Sequence, residues 1–182
     1  MKALFLCSLL AISSVGASSV QDMPAVELTP EHKWLKQLVG EWEVKAEATM
    51  APGTEPIRMK STEKMRAIGD LWVLGESTMD LGGTPQTSLL TIGFDPNQKA
   101  FVGTWVDTMQ AHLWVYRGSL DEAKKKLTLA AEGPAFGDAT KTAKYHDVIE
   151  LVSPDHKVLT SSILGEDGKW TTFMRADYHR KK

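Results

Sequence analysis

The chain has one cysteine among its 182 residues, and that residue, Cys7, lies in an apolar stretch near the N-terminus. A single cysteine forms no internal disulfide bond, and it offers no thiolate cluster for zinc. The chain also has no large excess of either charge, since its 21 Lys and Arg residues are nearly balanced by 23 Asp and Glu residues. A balanced chain lacks the positive field that grips a phosphate backbone, so we expect no nucleic-acid partner.

The apolar stretch around Cys7 has the features of a secretory signal peptide. Lys2 supplies the positive start, and small residues precede a predicted cleavage site near Ala17. This stretch is too short to span a bilayer as a helix, and no second one is long enough, so we expect no integral membrane span. We predict a signal peptide over residues 1–17, a flexible tether over residues 18–28, and a periplasmic or secreted mature chain without cysteine.

Residues 29–182 are predicted to form one domain, which begins with a short helix. Thr29 is a suitable N-cap, Pro30 suits the first helical position, and Gly40 ends the pattern. The apolar stripe of this helix consists of Trp34, Leu35, Leu38 and Val39.

After Gly40 the hydrophobic period changes from helical to two, which indicates β-strands. Turn residues separate about ten such segments, and no long helix intervenes, so we predict an all-β fold. A meandering antiparallel barrel of about ten strands is favoured because closure removes unpaired edges, and a β-sandwich is the alternative. The predicted strands cover residues 41–48, 57–68, 71–79, 87–94, 100–108, 111–120, 126–132, 144–152, 158–164 and 169–178, with 133–140 as the longest loop.

Some central strands are apolar on both faces, as in Leu113-Trp114-Val115-Tyr116. A sheet with one face in water needs apolar residues on the other face only. We therefore expect another part of the protein or a partner to cover the outer face of these strands. The predicted helix is one candidate, and a second subunit in a homodimer is the other.

The order of these elements resembles the lipocalin-like, or calycin, architecture. The resemblance rests on the short helix, the Gly40-Glu41-Trp42 motif that follows it, the antiparallel strands and the late basic residue Arg175. It implies that Trp42 and Arg175 meet at the closed end of the barrel, in a structural role.

A closer resemblance is to a bacterial family of unknown function, domain of unknown function 1579. It covers residues 30–178 and implies a calycin-like barrel in an exported bacterial protein. The family has no established reaction, so the resemblance transfers no catalytic residue. The motifs that carry it are His32-x-x-Leu35, Gly40-Glu41-Trp42, Ile92-Gly93-Phe94-Asp95, Phe101 to Met109, Gly118 and Arg175.

Trp105 and Asp107 share one face of their strand by the period of two. If that face is interior, a carboxylate lies in an aromatic cavity, where burial would raise its pKa. The alternative is a carboxylate that binds turn amides before Met109. His112, Trp114 and Tyr116 share a face of the next strand, either lining the same mouth of the barrel or packing across strands.

Binding of a small apolar or amphipathic molecule is the function we favour from the sequence. Its predicted ligand-binding residues are Trp105, Asp107, His112, Trp114 and Tyr116. One alternative is an acid/base enzyme, which needs Asp107 or Glu76 within hydrogen-bond reach of His112 or Tyr116. Another is a structural, dimerising protein with no ligand. No histidine pair has metal-site spacing and no phosphate loop or hydrolase motif is present, so no metal or other cofactor is expected.

Overall fold

A computed structural model describes residues 26–49 and 54–182, and these residues form a closed ten-stranded antiparallel barrel. Each strand pairs with its neighbours in sequence, and the last strand closes on the first. The predicted signal peptide and most of the predicted tether lie outside the described residues. The elements are α1 (Pro30–Leu35), a 3-10 turn (Lys36–Leu38), β1 (Gly40–Ala48), β2 (Ile57–Ile68), β3 (Trp72–Leu81), β4 (Thr84–Asp95), β5 (Ala100–Asp107), β6 (Trp114–Leu120), β7 (Lys126–Ala135), β8 (Asp138–Ser153), β9 (His156–Leu164) and β10 (Trp170–Arg180).

The alternation along the strands decides which side chains face the interior. In β1, Trp42, Val44 and Ala48 are buried, whereas the charged residues between them are exposed. The strand register carries this alternation around the barrel, because directly paired residues point to the same face. The predicted all-β barrel is therefore confirmed.

The helix covers one end of the barrel rather than its outer face. Trp34 Nε1 donates a hydrogen bond of 2.8 Å to the Lys124 carbonyl in the β6–β7 turn, and the Trp34 ring meets Phe101 edge to face. His32 is buried, accepts a hydrogen bond from the Thr29 amide and contacts the Phe94 ring. This end, which we call the closed end, is therefore sealed by α1.

Trp42 packs at the closed end as the resemblance implied, but its basic partner is Arg180 and not Arg175. Trp42 is fully buried, and the Arg180 guanidinium lies 4.2 Å from its ring centroid. Arg180 also donates hydrogen bonds to the carbonyls of Val39, Gln37 and Pro154. Arg175 faces outward, because it alternates with the inward-facing Ala176, and it pairs with Asp177 on the surface.

The long loop predicted over residues 133–140 is wrong. β7 continues to Ala135 and β8 begins at Asp138, so only a tight turn remains, with Gly137 at a φ of 77°. The small residues that indicated a loop are needed for packing. A Cβ at Gly133 would lie 2.5 Å from the Trp114 ring, so a glycine lets the strand pass beside that indole.

The outer face of β6 stays exposed in the single chain. Leu113 and Val115 are more than half exposed, and they line an external groove of about 460 Å³ with Trp170, whose ring stacks on His146. The homodimer that such a face suggests stays a prediction. Within the described residues, no helix is long and apolar enough to cross a membrane.

Candidate functional site

Inward-facing side chains divide the barrel interior into two halves of different character. In the half beside α1, the closed half, most of the large apolar ones are fully buried, whereas in the opposite half, the open half, most are partly exposed. Solvent therefore reaches the interior from the end opposite the helix. Buried members of the closed half are Trp42, Met65, Val73, Ile92, Phe101 and Leu127. Partly exposed members of the open half are Ser61, Ser77, Ser88, Trp105, Trp114 and Ile163.

Two of the predicted ligand-binding residues form one wall of the open half. Trp105 and Trp114 are direct partners in the β5–β6 register and both face inward. The Trp114 ring meets His112 and Tyr145 edge to face, each at 4.9 Å between ring centroids. Its indole N–H is buried and finds no acceptor among the described residues. A buried donor without an acceptor is costly, and a ligand oxygen would satisfy it.

Asp107 and His112 have local partners at the rim. Asp107 Oδ1 accepts hydrogen bonds from the amides of Met109 at 2.8 Å and Gln110 at 2.9 Å, which is the turn role left open by the sequence. His112 Nε2 lies 3.3 Å from the Glu132 carbonyl oxygen. These two residues shape the entrance, and the Asp107 carboxylate is occupied by its own turn.

Tyr116 lies deeper, where it meets a carboxylate that the sequence analysis did not select. Its hydroxyl donates a hydrogen bond of 2.5 Å to Asp147 Oδ2, and the Ser161 side chain also bonds Asp147. Burial raises the pKa of Asp147, although both hydrogen bonds oppose the shift. Burial, reinforced by the Asp147 charge, raises the pKa of Tyr116 as well.

A buried ion pair lies below this pair of residues, in the closed half. Lys157 Nζ donates to Glu63 Oε2 at 2.5 Å, and both side chains are about 5% exposed. The ammonium also lies 4.7 Å from the Trp42 ring centroid and 4.5 Å from that of Tyr178. Burial lowers the pKa of Lys157, and the Glu63 charge opposes this. The ion pair satisfies each charge with the other.

Tyr178 lies between the buried ion pair and Asp147. Its hydroxyl makes no hydrogen bond within the part of the chain that the structure describes. Burial, together with the charges of Glu63 and Asp147, raises its pKa well above the ordinary value. In addition to Tyr116, the interior therefore carries the Glu63–Lys157 pair, the Tyr178 hydroxyl and Asp147.

The predicted acid/base arrangement does not form. Asp107 is held by its turn, and Glu76 faces outward, since it pairs with the exposed Lys64 and Leu89 in the register. The carboxylate that reaches Tyr116 is Asp147 instead. Among residues 26–49 and 54–182, no three or more His, Cys, Asp or Glu side chains are placed to hold a metal ion.

The residues that sequence reasoning missed carry a recognisable signal. Glu63 shares the inward face of β2 with Met59, Ser61 and Met65, so it is the lone charge on that face. Asp147 occupies the same position between Tyr145 and Ile149. A charge that alternates with apolar residues predicts a buried polar group, but its partner comes from a distant strand and is not visible in the sequence.

Comparison with known proteins gives one family and a set of similar folds. The model of a family described as "Protein of unknown function (DUF1579)" matches residues 27–180. No curated protein matches the sequence.

Two solved structures share the barrel at low sequence identity. The S-type phycobiliprotein lyase CPES from Guillardia theta is 11% identical, with a TM-score of 0.57, covering 84% of this chain and 93% of that one. Rv2717c from M. tuberculosis is 13% identical, with a TM-score of 0.55, covering 86% of this chain and 100% of that one. At this level of identity the likeness concerns the fold alone.

Proposed function

Since the chain belongs to the DUF1579 family of proteins of unknown function, we propose a function from the barrel itself: it binds a small amphipathic molecule in the open half. The observation that carries the proposal is the contrast between the two halves. The same strands bury most large inward side chains near α1, with Phe94 and Leu120 partly exposed, and present mainly small or partly exposed ones at the other end, apart from the buried Tyr145. Barrels of this size commonly hold ligands in their mouths.

The chemistry of the open half favours a ligand with an apolar body and a few polar atoms. Trp105 and Trp114 offer aromatic surface, and the buried Trp114 N–H offers a hydrogen bond to an acceptor. Ser61 and Ser88 face inward and supply hydroxyls without filling the space, whereas the Ser77 hydroxyl donates a hydrogen bond to Glu63. Aromatic walls with a small number of polar groups are typical of small-molecule sites.

Filling the open half should abolish binding. Ser88 faces inward on β4, whereas its neighbour Leu89 faces outward and is 39% exposed. In Ser88→Trp the indole would occupy the interior, so we expect Nile red, a neutral apolar dye, to bind at least about tenfold more weakly than to the wild type. Leu89→Trp adds the same side chain to the same strand on the outer face, and it should bind the dye as the wild type does.

Fluorescence titration of Nile red into both variants tests where the dye binds. Circular dichroism first checks that each variant is folded. Equal loss in Leu89→Trp would mean that the dye binds the outer face of β4 and not the interior, which contradicts the proposal. A wild type that neither binds the dye nor retains a small molecule in native mass spectrometry after purification from its own host also contradicts it.

Export is a second part of the proposal, supported by the signal-like residues 1–17. We expect the mature chain to begin after Ala17 and to accumulate outside the cytoplasm. Intact mass measurement of protein from cell fractions tests this, and a chain that keeps its first 17 residues in the cytoplasm argues against export.

A further inference from the structure

Asp147 is the one inward-facing carboxylate among the described residues of β2 to β10 that has neither a cation nor a turn for a partner. Glu63 is paired with Lys157, and Asp107 binds the amides of its own turn. Asp147 accepts only hydroxyl hydrogen bonds, from Tyr116 and Ser161. Its residue is nevertheless partly exposed, which places it at the floor of the open half rather than in the packed closed half.

The groups around Asp147 leave its charge uncompensated. β6 contributes Tyr116, β9 contributes Ser161, β10 contributes Tyr178 and β7 contributes the apolar Leu129. The nearest charged groups that face inward are the Glu63–Lys157 pair of β2 and β9, which is neutral as a whole. His146 precedes Asp147 on β8, and its ring stacks on Trp170 at the outer face. A charge on His146 would lower the pKa of Asp147, but burial lowers the pKa of His146 itself.

The other inward-facing cation is committed elsewhere. Arg180 packs over Trp42 at the closed end and donates to three carbonyl oxygens there. Neither of the two inward-facing cations, Lys157 and Arg180, can therefore move to Asp147 without breaking an existing set of contacts.

A carboxylate in such surroundings is costly while it is charged and unpaired. Two states relieve this cost: the carboxyl takes up a proton, or a cation from outside pairs with it. The direction of the Asp147 pKa agrees with the first state in the free protein. A ligand that brings a positive charge to the floor would favour the second.

We infer that the ligand of the open half carries a positively charged nitrogen, such as a protonated amine, which pairs with Asp147. The inference rests on the proposed binding function and specifies the chemical class of the ligand. The amine would lie at the floor, with the Tyr178 hydroxyl as a further hydrogen-bond partner, while the apolar body extends between Trp105 and Trp114. Aromatic faces near a cation add favourable cation–π contact.

Three probes with one aromatic body separate charge from hydrophobicity: naphthylethylamine, naphthylethanol and naphthylacetate. Isothermal titration calorimetry at neutral pH should give the amine an affinity about tenfold or more above the alcohol, as expected for a charge-assisted hydrogen bond, with the carboxylate weakest. Asp147→Asn keeps the shape and an acceptor for Tyr116 but removes the charge. This variant should bind amine and alcohol equally, with the alcohol affinity unchanged.

Glu150→Gln is the matched control, because Glu150 lies on the outer face of the same strand and pairs with Lys126 on the surface. It makes the same change of charge and should keep the preference for the amine. If Glu150→Gln also lost the preference for the amine, as Asp147→Asn is expected to, the overall charge of the protein and not the Asp147 carboxylate would attract the amine.

The outcomes separate this inference from the function on which it rests. Binding of the alcohol as tight as that of the amine in the wild type overturns the cationic ligand and leaves the binding function standing. An amine preference that persists in Asp147→Asn overturns the role of Asp147. Failure of all three probes, together with failure of Nile red, counts against the binding function itself.

Discussion

The closed and open halves of the barrel are built from the same ten strands and yet have opposite interiors. Toward α1 the inward positions carry Trp42, Ile92 and Leu127, none of which is exposed, whereas toward the other end they carry Ser61, Ser77 and Ser88. The alternation that separates inside from outside is the same in both. The serines therefore fill less of the interior than the large side chains of the closed half do, although Trp105 and Trp114 also face inward in the open half.

The charged groups of the interior differ in the same way. In the closed half the buried Lys157 has a carboxylate within hydrogen-bond distance and aromatic rings around it. At the floor of the open half, Asp147 has hydroxyl partners only. A dry, packed half requires charges to be paired within the chain, whereas a half that solvent reaches can leave a charge to an external partner.

The largest expected effect is the loss of the buried ion pair. Lys157→Met leaves Glu63 charged and unpaired in the closed half, which should lower the free energy of unfolding by about 3–5 kcal/mol. Lys126→Met, which removes a surface partner of Glu150, should cost about 1 kcal/mol or less. Urea unfolding measures both. Equal costs would mean that the interior around Glu63 is wet, and the contrast between the halves would be broken.

The packing difference predicts the next largest effect. Ile92→Ala opens a cavity among fully buried neighbours in the closed half and should cost about 3 kcal/mol of unfolding free energy. Ile163→Ala makes the same change where the side chain is already partly exposed, so we expect less than about half of that cost. Thermal or urea unfolding of the two variants compares the halves directly, and similar losses would show that the open half is packed as well.

The seal at the closed end gives the smallest predicted difference. Arg180→Met removes the contact with Trp42, the hydrogen bonds to three carbonyls and the ion pair with Asp155, which should cost about 2 kcal/mol. Arg175→Met removes an exposed partner of Asp177 and should change stability by no more than about 0.5 kcal/mol. Urea unfolding measures both variants. If Arg175→Met lost more unfolding free energy than Arg180→Met, Arg175 and not Arg180 would be the basic residue that stabilises the closed end.

Much of the barrel could be predicted from the sequence because alternation is a local property. The clean alternation of residues 41–48 identifies β1, and the turn residues separate the strands that follow. The loop predicted over 133–140 was wrong because small residues indicate a turn and a close packing contact equally well. Only the position of the Trp114 ring, beside Gly133, distinguishes the two.

The candidate site was less predictable because its residues meet across strands. Trp105 and Trp114 were selected correctly as neighbours, since one short connection joins their strands. For Asp107 the sequence offered both a cavity position and a turn role, and the structure shows the turn role, because a carboxylate beside free N–H groups binds them first. Tyr116 was selected without its partner, since Asp147 lies 31 residues further along the chain.

The sequence by itself determined that this chain forms strands with one apolar face, begins them after a short helix and places Trp42 in the core. These features follow from residue type and spacing, which act locally. Only the tertiary structure brings Lys157 to Glu63, 94 residues away, and places the Tyr116 hydroxyl on Asp147, 31 residues from it. Closure of the barrel sets which strands face one another, and the electrostatic environment of a buried charge depends on that arrangement.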